Sequence, residues 1–123
     1  GDTDNWDPAK GMVPMMTLHL AKGLEFATVI LVGVEEGLFP HSRSIDNPAQ
    51  IEEERRLCYV GMTRAKRALV LSHAMRRNLY GGDQFPLPSR FLEEIPADQI
   101  EKVSFQPVSA AGETRVYRPE SGL

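Results

Sequence analysis

The chain has a single cysteine, Cys58, among its 123 residues. One thiol excludes an internal disulfide and any multi-cysteine zinc site, and it fits a reducing compartment. The three histidines, His19, His41 and His73, are too scattered to suggest a metal site by spacing. Long apolar runs are also missing. The longest, Ala27 to Val34, falls far short of the roughly 20 residues a membrane-spanning helix needs. No basic, apolar, small-residue leader opens the sequence, so the expected compartment is the cytoplasm. Neither G-x-x-x-x-G-K-[ST] nor G-x-G-x-x-G occurs, so the chain cannot by itself cradle nucleotide phosphates in either of those ways. Its 13.7 kDa allows one domain or a large piece of one. A composition 41% hydrophobic and 25% charged excludes a wholly disordered or collagen-like chain.

Charge is present but unevenly spread. The net charge of −3 hides three blocks: residues 1–54 carry −7, residues 55–90 carry +7, and residues 91–123 carry −3. The basic block holds Arg55, Arg56, Arg64, Arg67, Arg76, Arg77 and Arg90. Planar guanidinium forks suit phosphate or carboxylate. On charge alone, a phosphate partner and a solvated helix face paired with Glu52, Glu53 and Glu54 remain equal alternatives.

Residues 1–11 are polar and rich in turn formers, which predicts a flexible lead-in. Asp2, Asp4 and Asp7 do not complete a calcium loop, because Trp6 holds a required acidic position. No metal ligands are expected. Val13–His19 reads as a strand after Pro14, and the β-branched run Thr28–Val34 as a neighbouring strand buried on both faces. The clearest helix runs from Pro48 to about Ala65. Asn47 caps it, Pro48 takes the first position, Gln50 takes the capping-box place, and Glu52–Glu54 favour the positive end of its dipole. Ile51, Leu57, Cys58, Gly61, Met62 and Ala65 form its buried stripe. Ala68–Ser72 reads as another buried strand, 78–88 as a loop, and Ser89 as the cap of a short helix, Arg90–Glu94. Phe91 and Leu92 are core. Residues 104–123 hold too few large apolar residues to pack and are expected to form a flexible tail.

Two segments, TLHLAKGLEFATVILVGVEEGLFP (Thr17–Pro40) and EEERRLCYVGMTRAKRALVL (Glu52–Leu71), resemble motifs V and VI of superfamily 1 DNA helicases of the UvrD, Rep and PcrA type. The similarity continues through PSRFLEEIP (Pro88–Pro96) and covers residues 12–103. The resemblance implies an α/β fold: the C-terminal part of the second RecA-like motor domain, with a mostly parallel sheet flanked by helices. It further implies ATP with Mg2+ as cofactor, the Mg2+ ligands and phosphate loop lying outside this segment. The implied partners are single-stranded and duplex DNA, moved along 3′ to 5′, together with the first motor domain and an inserted subdomain of the same protein.

Residue by residue, Arg64 in VGMTRAK matches the motif VI arginine that reaches the γ-phosphate. Glu25 in AKGLEF matches the glutamate that accepts hydrogen bonds from the ribose, with Gly23 allowing close backbone approach. Thr17, His19 and Lys22 match the part of motif V that faces single-stranded DNA, and Arg90 is a further candidate for its backbone. For His19 the competing role is a buried imidazole donating to a carbonyl. Glu25 competes with a capping or salt-bridging role, and Tyr59 divides between the cleft and the core. Arg55 and Arg56, beside three glutamates, are expected in ion pairs, while Arg76 and Arg77 fit either a solvated pair or a DNA-facing surface. Two further functions stay open: a non-catalytic nucleic-acid or protein binding module, and the motor subunit of a helicase-nuclease complex. Stripped of its neighbours, the segment is expected to expose apolar faces and to dimerise or be marginally stable.

Overall fold

The computed structural model describes residues 8–105 and 116–117. They divide into two compact units, with the boundary after Leu92. In the first unit, α1 (Leu18–Ala21), β1 (Phe26–Leu31), α2 (Pro48–Met62), β2 (Ala65–Leu71), β3 (Arg77–Leu79) and β4 (Gly82–Gln84) follow one another, and α3 (Arg90–Glu93) straddles the boundary. β1 and β2 pair in parallel, from Phe26 opposite Ala65 to Leu31 opposite Leu71, with an irregularity between Phe26 and Thr28. α2 is the crossover that a parallel pair requires. This strand–helix–strand unit is the expected α/β arrangement, with shifted boundaries.

The start of α2 follows its sequence signals. Asn47 Oδ1 accepts from the amides of Ala49 and Gln50 at 3.1 and 3.3 Å, and Pro48 opens the helix. The capping box is not closed in the expected way, because the Asn47 amide donates to the Ser44 carbonyl at 2.9 Å. Glu52–Glu54 lie beyond the first turn, where the dipole has little effect. The helix ends at Met62, three residues earlier than expected, because Ala65 is already paired in β2. Ile51, Cys58 and Gly61 are buried. Phe39 and Met62 pack against the cluster of Ile51, Cys58 and Phe91, and the Phe39 and Phe91 rings meet edge to face at 5.3 Å. Leu92 is half-buried.

Four expectations fail. Val13–His19 is no strand: residues 12–17 are irregular and α1 begins at Leu18. Pro14 has no N–H to give a ladder, and Thr17 instead caps a helical turn. Nor is β1 buried on both faces, since Ile30 is 59% and its partner Val70 46% exposed. α2 packs its Gly61 against Leu31, and among the described residues the opposite face stays open; a parallel sheet normally has both faces covered. Residues 78–88, expected as a loop, begin with the antiparallel hairpin β3–β4, which turns at Tyr80–Gly81. Both turn residues have positive φ, 54° and 77°, as a two-residue type I′ turn demands. Fourth, the expected buried strand Ala68–Ser72 is largely exposed, with Leu69 at 37% and Val70 at 46%. Of the two roles open to Tyr59, the core one falls, since it is 68% exposed.

In the second unit, β5 (Ser104–Phe105) pairs antiparallel with β6 (Val116–Tyr117), so these four residues depart from the expected tail. The rest of that tail, and of the lead-in before Pro8, lies outside the described residues. Among the described residues, no helix is long and apolar enough to cross a membrane.

Candidate functional site

The segment from Thr17 to Glu25 forms one turn and a bend. Thr17 Oγ1 accepts from the Leu20 amide at 3.3 Å, which leaves the hydroxyl proton available to a donor role. α1 turns His19 outward, and Lys22 and Glu25 are also exposed; the buried alternative for His19 is thereby removed. Gly23 has φ +83°, a left-handed conformation that side chains disfavour, and it redirects the chain into β1. Glu25 caps no helix and pairs with no cation among the described residues.

Arg64 sits where α2 hands over to β2. Its Nε donates to the Val60 carbonyl at 3.2 Å, Nη1 to the Leu24 carbonyl at 3.4 Å, and Nη2 to Thr63 Oγ1 at 3.4 Å. Its own carbonyl accepts from the Phe26 amide at 2.9 Å. The tip of α2 is thus tied to both neighbours of Glu25, and the two sequence segments converge at one place. The guanidinium has five N–H donors, of which three make these long bonds. It meets no carboxylate among the described residues, so its charge is unneutralised.

Most of the basic block is spent elsewhere. Arg55 and Arg56 pair with Glu52 and Glu53 one turn back, as expected, and Arg55 also lies 5.5 Å over the Phe91 ring. Arg76 pairs with Asp83. Arg77 grips Glu35 through Nε at 2.6 Å and Nη2 at 3.2 Å. The hydrogen bonds from Arg77 hold the Glu35 carboxyl below its usual range against the opposing effect of burial. Arg90 holds Glu36 through Nε at 3.1 Å and Nη2 at 2.9 Å, while its amide donates to the same carboxylate at 2.7 Å. The Arg90 hydrogen bonds likewise lower Glu36. Five of the seven arginines in the block therefore neutralise carboxylates of the same chain. Among the described residues, no group of three or more His, Cys, Asp or Glu could hold a metal ion.

One feature escaped the sequence. Tyr80 stands at the hairpin tip fully exposed, with Phe85 73% exposed nearby in sequence. Beneath the hairpin runs a groove of about 460 Å3 lined by residues of the loop after β1, among them Leu38, His41 and Arg43, and by Tyr80 and Phe85. A tyrosine at positive φ is strained and recurs at functional sites. The Tyr-Gly-Gly run between two polar stretches was the available signal.

A parallel strand–helix–strand unit with the arginine at its helix end defines the class: a partial RecA-like α/β domain. Residues 2–76 match the family model described as "UvrD-like helicase C-terminal domain". The chain belongs to that family. It is 55% identical over 96 residues to DNA helicase II of Haemophilus influenzae, covering 78% of this chain and 13% of that protein. It is 48% identical over 113 residues to the ATP-dependent DNA helicase PcrA of Bacillus subtilis, covering 92% and 15%. It is 49% identical over 116 residues to the ATP-dependent DNA helicase UvrD1 of Mycobacterium tuberculosis, covering 89% and 15%. The chain spans only about one seventh of the length of these relatives.

Proposed function

We propose that this chain is the part of an ATP-dependent 3′-to-5′ DNA helicase that forms one wall of the ATP cleft and part of the single-stranded-DNA track. Alone, with no phosphate loop in its sequence, it hydrolyses nothing. The observation that carries this reading is the Arg64 guanidinium, which meets no carboxylate among the described residues and is tied to the backbone beside exposed Glu25. That donor set fits the nucleotide and not its metal: an arginine for the γ-phosphate, a carboxylate for two vicinal ribose hydroxyls, and Gly23 for close approach. ATP with Mg2+ supplies the phosphoryl group whose transfer to water powers movement, and the Mg2+ ligands belong to other parts of the protein.

Arg64 neutralises charge that spreads over the phosphoryl oxygens, a role worth roughly 10³ to 10⁵ in rate. Glu25 orients the ribose. Thr17, His19 and Lys22, on or beside the outward turn α1, contact DNA phosphates, which gives affinity without sequence choice. Arg90 ranks behind them, because Glu36 takes its Nε proton and one Nη2 proton and neutralises its charge. The Tyr80 ring, free of packing, is a platform on which a base stacks.

The test is DNA-stimulated ATP hydrolysis by the full-length protein. Arg64→Ala should lower kcat by roughly 10³ or more with DNA affinity kept. Near-normal turnover overturns the assignment, and a further variant, Glu25→Ala, should raise the KM for ATP.

A further inference from the structure

We propose that Glu35 is a positioning residue: it seats the β3–β4 hairpin, and with it the Tyr80 ring, on the end of the sheet. The proposal rests on the reading of Tyr80 as a base-stacking residue.

Glu35 is 1% exposed, a burial unusual for a carboxylate unless it is paired. It follows β1, where the Val34 amide donates to the Ser72 carbonyl at 2.9 Å and extends the sheet beyond Leu31. Glu35 Oε2 accepts from the Ala74 amide at 2.9 Å, in the link that leaves β2. The same carboxylate binds Arg77, the first residue of β3, in a two-point fork. One buried group thus fixes both the exit from the sheet and the entry to the hairpin.

The hairpin needs such a hold. It has three paired positions, Arg77 with Gln84, Asn78 with Asp83 and Leu79 with Gly82. A two-stranded hairpin of that size is marginal by itself. The groove lies beneath it where a packed core would otherwise set its tilt. The returning chain is held by the neighbouring acid. The Glu36 amide donates to the Leu87 carbonyl at 2.9 Å, and its carboxylate takes the Arg90 amide and guanidinium. Two consecutive glutamates therefore grip the excursion at its two ends. Apolar residues would fill the same space at less desolvation cost, but they would not fix an orientation.

The test uses the full-length protein and a single-stranded oligonucleotide carrying 5-iododeoxyuridine, with photo-crosslinks mapped by mass spectrometry. Glu35→Gln keeps an acceptor for Ala74 and loses the charge on Arg77; Arg77→Met breaks the same fork from the other side. Both should cut the Tyr80 crosslink roughly tenfold while crosslinks elsewhere persist. Tyr80→Phe should keep it. Wild-type crosslinking that the two variants leave intact overturns the latch. Absence of a Tyr80 crosslink in the wild type overturns the stacking reading instead, and hydrogen exchange then judges the latch without DNA. Exchange at the Ala74 amide and across residues 77–84 should quicken roughly tenfold in Glu35→Gln, with β1 amides still protected as proof of folding. Unchanged exchange there also overturns the latch.

Discussion

Replacing Arg77 by methionine strands the most buried carboxylate among the described residues. Glu35 is 1% exposed and keeps only the Ala74 amide, whereas the lost Arg77 side chain is itself 33% exposed. Breaking a fully buried pair costs about 3 to 5 kcal/mol, and the exposed side of Arg77 reduces this to about 2 to 3 kcal/mol. The pH dependence carries the diagnosis. In the native protein Glu35 titrates below its ordinary 4.5 because of the Arg77 hydrogen bonds. Its contribution is therefore complete above that value and lost as pH falls through the lowered one. In Arg77→Met the hydrogen bonds and charge of Arg77 are gone, and burial is opposed only by the Ala74 amide and the charge of His73, so the carboxyl titrates higher than in the wild type and the variant is most destabilised at neutral pH. The gap to wild type should narrow as pH falls below about 4.5. Urea midpoints at about pH 7 and about pH 4 measure it, with Glu35→Gln added to remove the stranded charge. A gap that is equal at both pH values, or a double variant as unstable as Arg77→Met, refutes the reasoning.

Three further outcomes follow from particular residues. Tyr80→Gly relieves a positive φ and should stabilise the hairpin by about 1 kcal/mol while weakening binding to single-stranded DNA; a melt and a fluorescence-anisotropy titration that both stay unchanged would count against a strained functional tip. Ser89 is fully buried and its Oγ accepts from the Phe91 amide at 3.2 Å, so Ser89→Ala should cost about 1 kcal/mol in a urea titration. The open sheet face carrying Ile30 and Val70 should make the isolated 123-residue chain dimerise or melt at low temperature, and a monodisperse, highly stable monomer by light scattering and calorimetry would contradict that.

The parts legible in the sequence are those whose causes are local. Asn47 and Pro48 announce the start of α2 because capping acts within a few residues, and Ser89 announces α3 for the same reason. The β-branched run reads as a strand wherever it lands. Gly23 reads as a bend, and the two long motifs mark Arg64, Glu25 and their neighbours before any contact is known.

Other features depend on which residues meet across the chain. Val13–His19 lost its strand to the cap at Thr17, because among the described residues no neighbouring strand takes it up and a single Oγ is enough to start a turn. The basic block could be a phosphate surface or a set of ion pairs on composition alone. Only the fold brings Arg77 to Glu35 and Arg90 to Glu36, 42 and 54 residues apart, and so commits them to the chain's own carboxylates. The same convergence lays Arg64 against Leu24, 40 residues away, and leaves its charge without a carboxylate among the described residues. Sequence thus determined which residues carry charge, caps and bends; tertiary structure decided which charges are neutralised, because Coulombic pairing depends on distance in space and not along the chain.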